Sequence, residues 1–187
     1  MGENKGKKGE MALVITLATV VSHEEDKGHR CDITRHTNTH TADSGADVVL
    51  ESPKTVVDNL FEIAKGSASS NNVTHNQLAV KEDKIIKTRF DNKNTESKLG
   101  VDTVREFVAD VRKNPDCTGH VLTGGSGLTA GAKKEIKAAQ EAYGDKKLIG
   151  HINNEGIKNI NANYLSNNSQ VPQIQEVPIN PDNKDKE

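Results

Sequence analysis

Tryptophan is absent from this chain of 187 residues, and aromatic residues make up only 3% of it. Hydrophobic residues contribute 33%, whereas an average globular domain is roughly 45–50% apolar with glycine included. The length favours one domain, and the shortage of apolar residues limits its core. We therefore expect a single domain over residues 11–165, with a mobile tail at 1–10, polar inserts near 22–42 and 91–100, and a disordered tail at 166–187.

Other shortages exclude classes of partner and of architecture. No apolar run approaches the length of a membrane-spanning helix, so no membrane partner is expected. The net charge of −2 gives no general attraction to nucleic acid. The two cysteines, Cys31 and Cys117, lie far apart in the chain, so we expect independent reduced thiols rather than a disulfide framework.

The apolar run at residues 11–21 bears on where the protein is located. Its many β-branched residues are typical of a strand that is buried on both faces. Lysines before the run and small residues near its end also resemble a signal peptide, although Glu3 and Glu10 count against that interpretation. We expect a first strand in a cytoplasmic protein, and secretion is the alternative.

Helical periodicity alternates with short apolar segments along the rest of the chain. Helices are predicted at 53–65, 101–113 and about 132–142, and strands at 73–81, 119–123 and 148–152. Ile85 and Ile86 are predicted to begin a turn of helix. The alternation predicts a three-layer α/β fold with a mainly parallel sheet, in which ligands bind at the carboxyl ends of the strands.

Histidines and one cysteine are concentrated in the polar segment at 22–47. His36 and His40, four residues apart, would share one face of a helix, which is a workable spacing for a metal. The paired cysteines of a zinc finger are missing, since only Cys31 precedes these histidines. A solvated loop is the main interpretation, and a secreted His-rich metal-binding protein is an alternative.

The stretch GHVLTGGSGLT at 119–129 joins a predicted strand to a predicted helix. Glycines let the backbone approach an anion closely, and the following helix presents unpaired N–H groups at the positive end of its dipole. A plain strand-to-helix turn is the structural alternative. The pattern predicts a phosphorylated small molecule at the carboxyl edge of the strand, held by Thr123, Gly124, Gly125, Ser126, Gly127 and Thr129.

The segment VLTGGSGLT at 121–129 closely resembles the loop of the MoaB/Mog molybdopterin-binding family, which includes the gephyrin G domain. The flanking elements agree in order over roughly residues 11–130: a strand, an acidic Ser-Gly element at 43–45, a helix, the stretch VKED at 80–83, and a helix ending at NPD, 114–116. The resemblance implies a role in molybdenum cofactor biosynthesis, with molybdopterin, ATP and Mg²⁺ as cofactors and a homotrimer as the assembly.

Members of that family transfer an adenylyl group from ATP to molybdopterin, and the resemblance implies Asp43 as the catalytic and metal-binding residue. The chain departs from the family pattern in two places. The family's aspartate after the loop falls at Ala132, and Asp43 stands one position late. These departures imply a degenerate member of the family, and the short segment after the loop fits a truncated one. A non-catalytic α/β module that binds a nucleotide or another phosphorylated ligand is therefore the alternative.

Overall fold

The structure is a computed structural model, and it describes residues 5–36, 47–66 and 72–167. Within these ranges helices and strands follow one another along the chain. In order they are α1 (Lys5–Asp26), β1 (Asp32–His36), β2 (Asp47–Pro53), α2 (Lys54–Lys65), β3 (Val73–His75), β4 (Ile85–Lys93), α3 (Val101–Lys113), β5 (Gly119–Gly124), α4 (Ala130–Tyr143), β6 (Leu148–Ile152) and α5 (Asn154–Asn167).

All of these strands belong to one six-stranded sheet, in the order β1-β2-β4-β5-β6-β3. β4, β5 and β6 run parallel to one another. β1 and β2 at one side and β3 at the other pair antiparallel with their neighbours. The α/β class is confirmed. The sheet is mixed rather than mainly parallel, because parallel pairing is confined to its three central strands.

Helices cover both faces of the sheet, which is compatible with a three-layer arrangement. α1, α2 and α5 pack on one face, where Leu17, Phe61 and Val121 belong to a single buried cluster. α3 and α4 pack on the other face, where Phe107 and Leu122 belong to a second cluster. Val121 and Leu122 are neighbours in β5 and point to opposite faces, so β5 is buried on both sides.

The predicted first strand is wrong, because residues 11–21 lie inside the helix α1. Leu17 and Val20 are buried in the core on the α5 side of the sheet. The hydroxyls of Thr16 and Thr19 donate to the carbonyl oxygens four residues earlier, each at 2.9 Å, which accommodates these β-branched residues in a helix. α1 starts at Lys5, so most of the segment expected as a mobile tail is helical.

Three of the predicted helices are confirmed, whereas the predicted turn of helix at 85–86, the two polar inserts and the C-terminal tail differ from expectation. The helices predicted at 53–65, 101–113 and 132–142 are confirmed as α2, α3 and α4. Ile85 and Ile86 begin the strand β4 and not a turn of helix, and β4 also takes in the first residues of the polar insert near 91–100. The insert near 22–42 contains the end of α1 and all of β1. α5 extends to Asn167, and the rest of the predicted tail lies outside the described residues.

Cys31 and Cys117 are both free, as the sequence predicts, and both are buried. Burial raises the pKa of the Cys31 thiol to about 11, so the thiol is protonated at neutral pH. Across the ranges 5–36, 47–66 and 72–167, no helix has both the length and the hydropathy that crossing a bilayer requires.

Candidate functional site

The parallel strands β4, β5 and β6 end at one edge of the sheet, and each is followed by a helix that begins at that edge. A bridge between Leu99 and Leu128 brings the approach to α3 beside the approach to α4. The positive ends of α3, α4 and α5 therefore gather at the carboxyl edge of the central strands. This is the edge at which ligands bind in open α/β sheets.

The glycine-rich turn between β5 and α4 has positive φ at Gly124 (106°), Gly125 (66°) and Gly127 (142°). A Cβ at Gly124 would lie 2.1 Å from the carbonyl oxygen of Lys93, and one at Gly125 would lie 2.8 Å from that of Ser97. The connection between β4 and α3 therefore occupies the space beside these two glycines. A Cβ at Gly127 would meet nothing within 4 Å.

Hydrogen bonds fasten the same turn to its neighbours. The N–H of Ser126 donates to Ser97 O at 3.1 Å, and the N–H of Thr129 donates to Leu99 O at 3.0 Å. Asn154, at the start of α5, donates its N–H to Gly125 O at 2.9 Å. Its side-chain amide also donates to the carbonyl oxygen of the β4–α3 connection at residue 95, at 2.8 Å. Two backbone donors of the turn are thus already used within the protein.

The hydroxyl groups of the turn divide between structural roles and solvent. Thr123 is fully buried, and its hydroxyl donates to Asp91 O at 3.2 Å. Thr129 caps α4, since its hydroxyl accepts a hydrogen bond from the N–H of Ala132 at 3.3 Å. Ser126 is exposed to solvent. The predicted binding residues thus lie together on one turn, but they do not all present donors to the outside.

The predicted acidic and histidine sites fall largely outside the described residues. Asp43 lies outside them, and so does His40. His36 ends the strand β1, so it does not belong to the helix that the metal pair with His40 would need. Within the part of the chain that the structure describes, no group of three or more His, Cys, Asp or Glu side chains is placed to hold a metal.

A pocket of about 430 Å³ lies beside α4, next to the glycine-rich turn. We call it the α4 pocket. Its walls come from the outer flank of α4, from β3, from β6 and from the turn. Its lining residues are Val73, Thr74, Leu128, Lys133, Ile136, Lys137, Gln140 and His151.

The charge of the α4 pocket is positive. Lys133 and Lys137 belong to its lining, and none of the lining residues is acidic. Lys137 approaches Glu141 at 3.8 Å, but both side chains are exposed, so this ion pair contributes little. Lys133 makes no ion pair with any residue that the structure describes. Its charge is therefore available to a ligand.

His151 connects the α4 pocket to the turn. Its Nε2–H donates to Gly124 O at 3.0 Å, and the ring is buried. Burial lowers the pKa of His151 against the opposing effect of that hydrogen bond, so the ring is neutral at neutral pH. Gln140 stands opposite on α4, and its Nε2 donates to Ile149 O at 3.0 Å. Both side chains are held in place by backbone carbonyl groups.

A second polar cluster is buried between β4 and α3. Nη2 of Arg89 lies 3.6 Å from a carboxylate oxygen of Asp91 and 3.6 Å from one of Asp110. His120 pairs in register with Arg89, and burial, with the positive charges of Lys147 and Arg89, lowers its pKa to about 4. Arg89 is 3% exposed and His120 is not exposed at all. Arg89 and His120 are therefore closed to a ligand, and the pairing of Arg89 with Asp110 joins α3 to the sheet.

The α4 pocket was not predicted from the sequence. Lys133, Lys137 and Gln140 recur at helical spacing along α4, but such a stripe is also typical of a solvated helix face. His151 lies within an apolar strand pattern and gives no signal of its own. What the sequence did not reveal is that the short strand β3 pairs with β6 and closes the pocket on the side away from α4.

Comparisons of this chain with known proteins identify no relative, since no family model, no curated protein and no solved structure matches it.

Proposed function

We propose that this protein binds a small phosphorylated ligand in the α4 pocket. The observation that carries the proposal is a cavity with two lysines and no carboxylate in its lining, between α4 and the strands β3 and β6 and next to the glycine-rich turn. Its volume of about 430 Å³ suits a small organic molecule, since such sites usually measure about 300–1,000 Å³.

Lysine at the rim is the chemical feature that favours phosphate. An ammonium group is a compact point charge with three donors, and it binds phosphate without needing a fixed bidentate geometry. Lys133 and Lys137 lie four residues apart on α4, so their side chains point to the same side of the helix. The α4 dipole adds favourable potential near the turn.

The glycine-rich turn has a supporting role in this proposal. Leu128 of the turn forms part of the pocket wall, and Gly124 O holds the ring of His151. The turn's bonds to the β4–α3 connection keep this wall in one place. Ser126, which is exposed to solvent, is the predicted binding residue that a bound phosphate reaches most easily.

Titration of the full chain with adenosine 5′-monophosphate, followed by amide NMR, tests the proposal. We expect shifts concentrated at Leu128, Lys133 and His151. Lys133→Gln and Lys137→Gln should each weaken binding roughly three- to tenfold, since each removes one partly solvated charge pair. Lys134→Gln is the matched control, because Lys134 is exposed on α4 but does not line the pocket.

Two results would overturn the proposal. One is an equal loss of affinity in Lys134→Gln, which would mean that only the general charge of α4 matters. The other is the absence of any shift at the pocket with adenosine 5′-monophosphate, ribose 5-phosphate and methyl phosphate alike, in a protein that is folded.

The resemblance to the MoaB/Mog loop supports a second candidate, binding of molybdopterin. It rests on the order of residues in the turn at 121–129. The adenylyl-transfer chemistry fits less well: where the family carries an acid after the loop, Ala132 is buried in α4 and offers no ligand to Mg²⁺. We assign no catalytic step. Molybdopterin and ATP belong in the ligand panel, and light scattering tests the predicted homotrimer.

A further inference from the structure

We propose that the ligand of the α4 pocket is a phosphomonoester whose body carries hydrogen-bond donors, which enter the pocket while the phosphate stays at the lysines. This inference rests on the proposed function and specifies its ligand class. It follows from the arrangement of the polar groups in the pocket lining. Lys133 and Lys137 supply positive charge from the exposed side of α4, and Gln140 and His151 supply neutral acceptors next to the sheet.

The first acceptor is Nδ1 of His151. The opposite ring nitrogen, Nε2, donates its hydrogen to Gly124 O, because a carbonyl oxygen can only accept. In the neutral ring Nδ1 therefore carries a lone pair and no hydrogen. A ligand group that meets His151 in the pocket wall gains a hydrogen bond only if it donates one.

The second acceptor is Oε1 of Gln140. Its amide nitrogen donates to Ile149 O at 3.0 Å and lies 3.5 Å from the hydroxyl of Thr74. This fixes which end of the amide is the nitrogen, so the oxygen is the end that remains for a ligand. Gln140 and His151 can therefore each accept a hydrogen bond from a ligand group that donates one.

The remaining lining is aliphatic and comes from Val73, Leu128 and Ile136. Such a surface accommodates the flat face of a heterocycle or the carbon face of a sugar. The donors that the acceptors require come from the amino group of a nucleobase in the first case and from sugar hydroxyls in the second. The shared chemistry is a phosphate joined to a donor-bearing body, and the experiment separates the two sources.

The test compares methyl phosphate, ribose 5-phosphate and adenosine 5′-monophosphate on the full chain by NMR titration. We expect at least one of the two larger ligands to bind tenfold or more tightly than methyl phosphate. His151→Gln keeps a donor for Gly124 O but lacks the ring acceptor, so it should reduce that advantage over methyl phosphate by about tenfold.

Gln140→Met provides a second variant of similar size that removes the other acceptor, and it serves if His151→Gln fails to fold. Equal binding of all three probes would overturn this inference and leave the proposed function standing. Binding of none would overturn the proposed function itself. If the nucleotide alone gains affinity, the donors belong to the base; if the sugar phosphate gains as much, they are sugar hydroxyls.

Discussion

Replacing Gly125 with alanine tests why the turn after β5 is rich in glycine. Gly125 has a φ of 66°, and a Cβ there would lie 2.8 Å from both Ser97 O and Leu99 Cγ. A left-handed backbone costs an L-residue about 1–2 kcal/mol, and overpacking against neighbours typically costs about 1–3 kcal/mol. We expect Gly125→Ala to lower the free energy of unfolding by about 2–5 kcal/mol, measured by denaturant titration.

Gly144→Ala is the matched control for this measurement. Gly144 has a φ of 59°, but a Cβ there would meet nothing within 4 Å. Its ψ of −127° lies outside the left-handed helical region, so Gly144→Ala should lose only the backbone strain of a sparsely populated conformation, about 1–3 kcal/mol. If Gly125→Ala is no less stable than Gly144→Ala, contact with the β4–α3 connection does not explain the glycine. If Gly125→Ala is stable but no longer binds its ligand, the glycine is explained by close approach of the backbone to a phosphate.

Two further predictions concern the packing of α1. Leu17 is 1% exposed, so Leu17→Ala should lower the free energy of unfolding by about 2–5 kcal/mol. Ile15 is 59% exposed, and Ile15→Ala should change this free energy by less than about 0.5 kcal/mol. Equal effects of the two substitutions would contradict the burial of α1. Burial raises the pKa of Glu24, but hydrogen bonds from Lys27 and His29 lower it more, so the net pKa lies below 4.5. Glu24 therefore stabilises the fold above pH 4.5 and loses this effect as the pH falls through the folded pKa. Glu24→Gln should destabilise the protein by on the order of 1–3 kcal/mol at neutral pH and unfold with a shallower acid dependence, and an unchanged dependence would refute this role.

The helices α2, α3 and α4 were predictable because each carries an apolar stripe at helical spacing. Val104, Phe107 and Val111 in α3 are buried as that spacing requires. α1 was not predictable in this way, since its apolar residues surround the helix and many are β-branched. Its helical state depends on packing against α5, where Oγ1 of Thr16 lies 3.0 Å from the side-chain amide of Asn161, a contact that no local pattern contains.

The candidate site shows a similar division. The position of the turn between β5 and α4 was predictable, because glycine and the change of periodicity mark it in the sequence. The reason for its glycines was not, since Gly124 and Gly125 contact a segment about thirty residues earlier in the chain. Likewise, Lys133 becomes part of a pocket only because β3 pairs with β6 far away in sequence.

The bonds that join the turn to the β4–α3 connection and to Asn154 make three connections into a single unit. If this turn were replaced by one from another α/β protein, side chains at the positions of Gly124 and Gly125 would collide with residues 93–99. Inherited or designed variation at this edge therefore has to come as sets of compensating changes. Lys133 and Lys137, on the exposed side of α4, carry no such constraint and can change one at a time. Ligand preference can thus drift in this protein while the frame that supports it stays fixed.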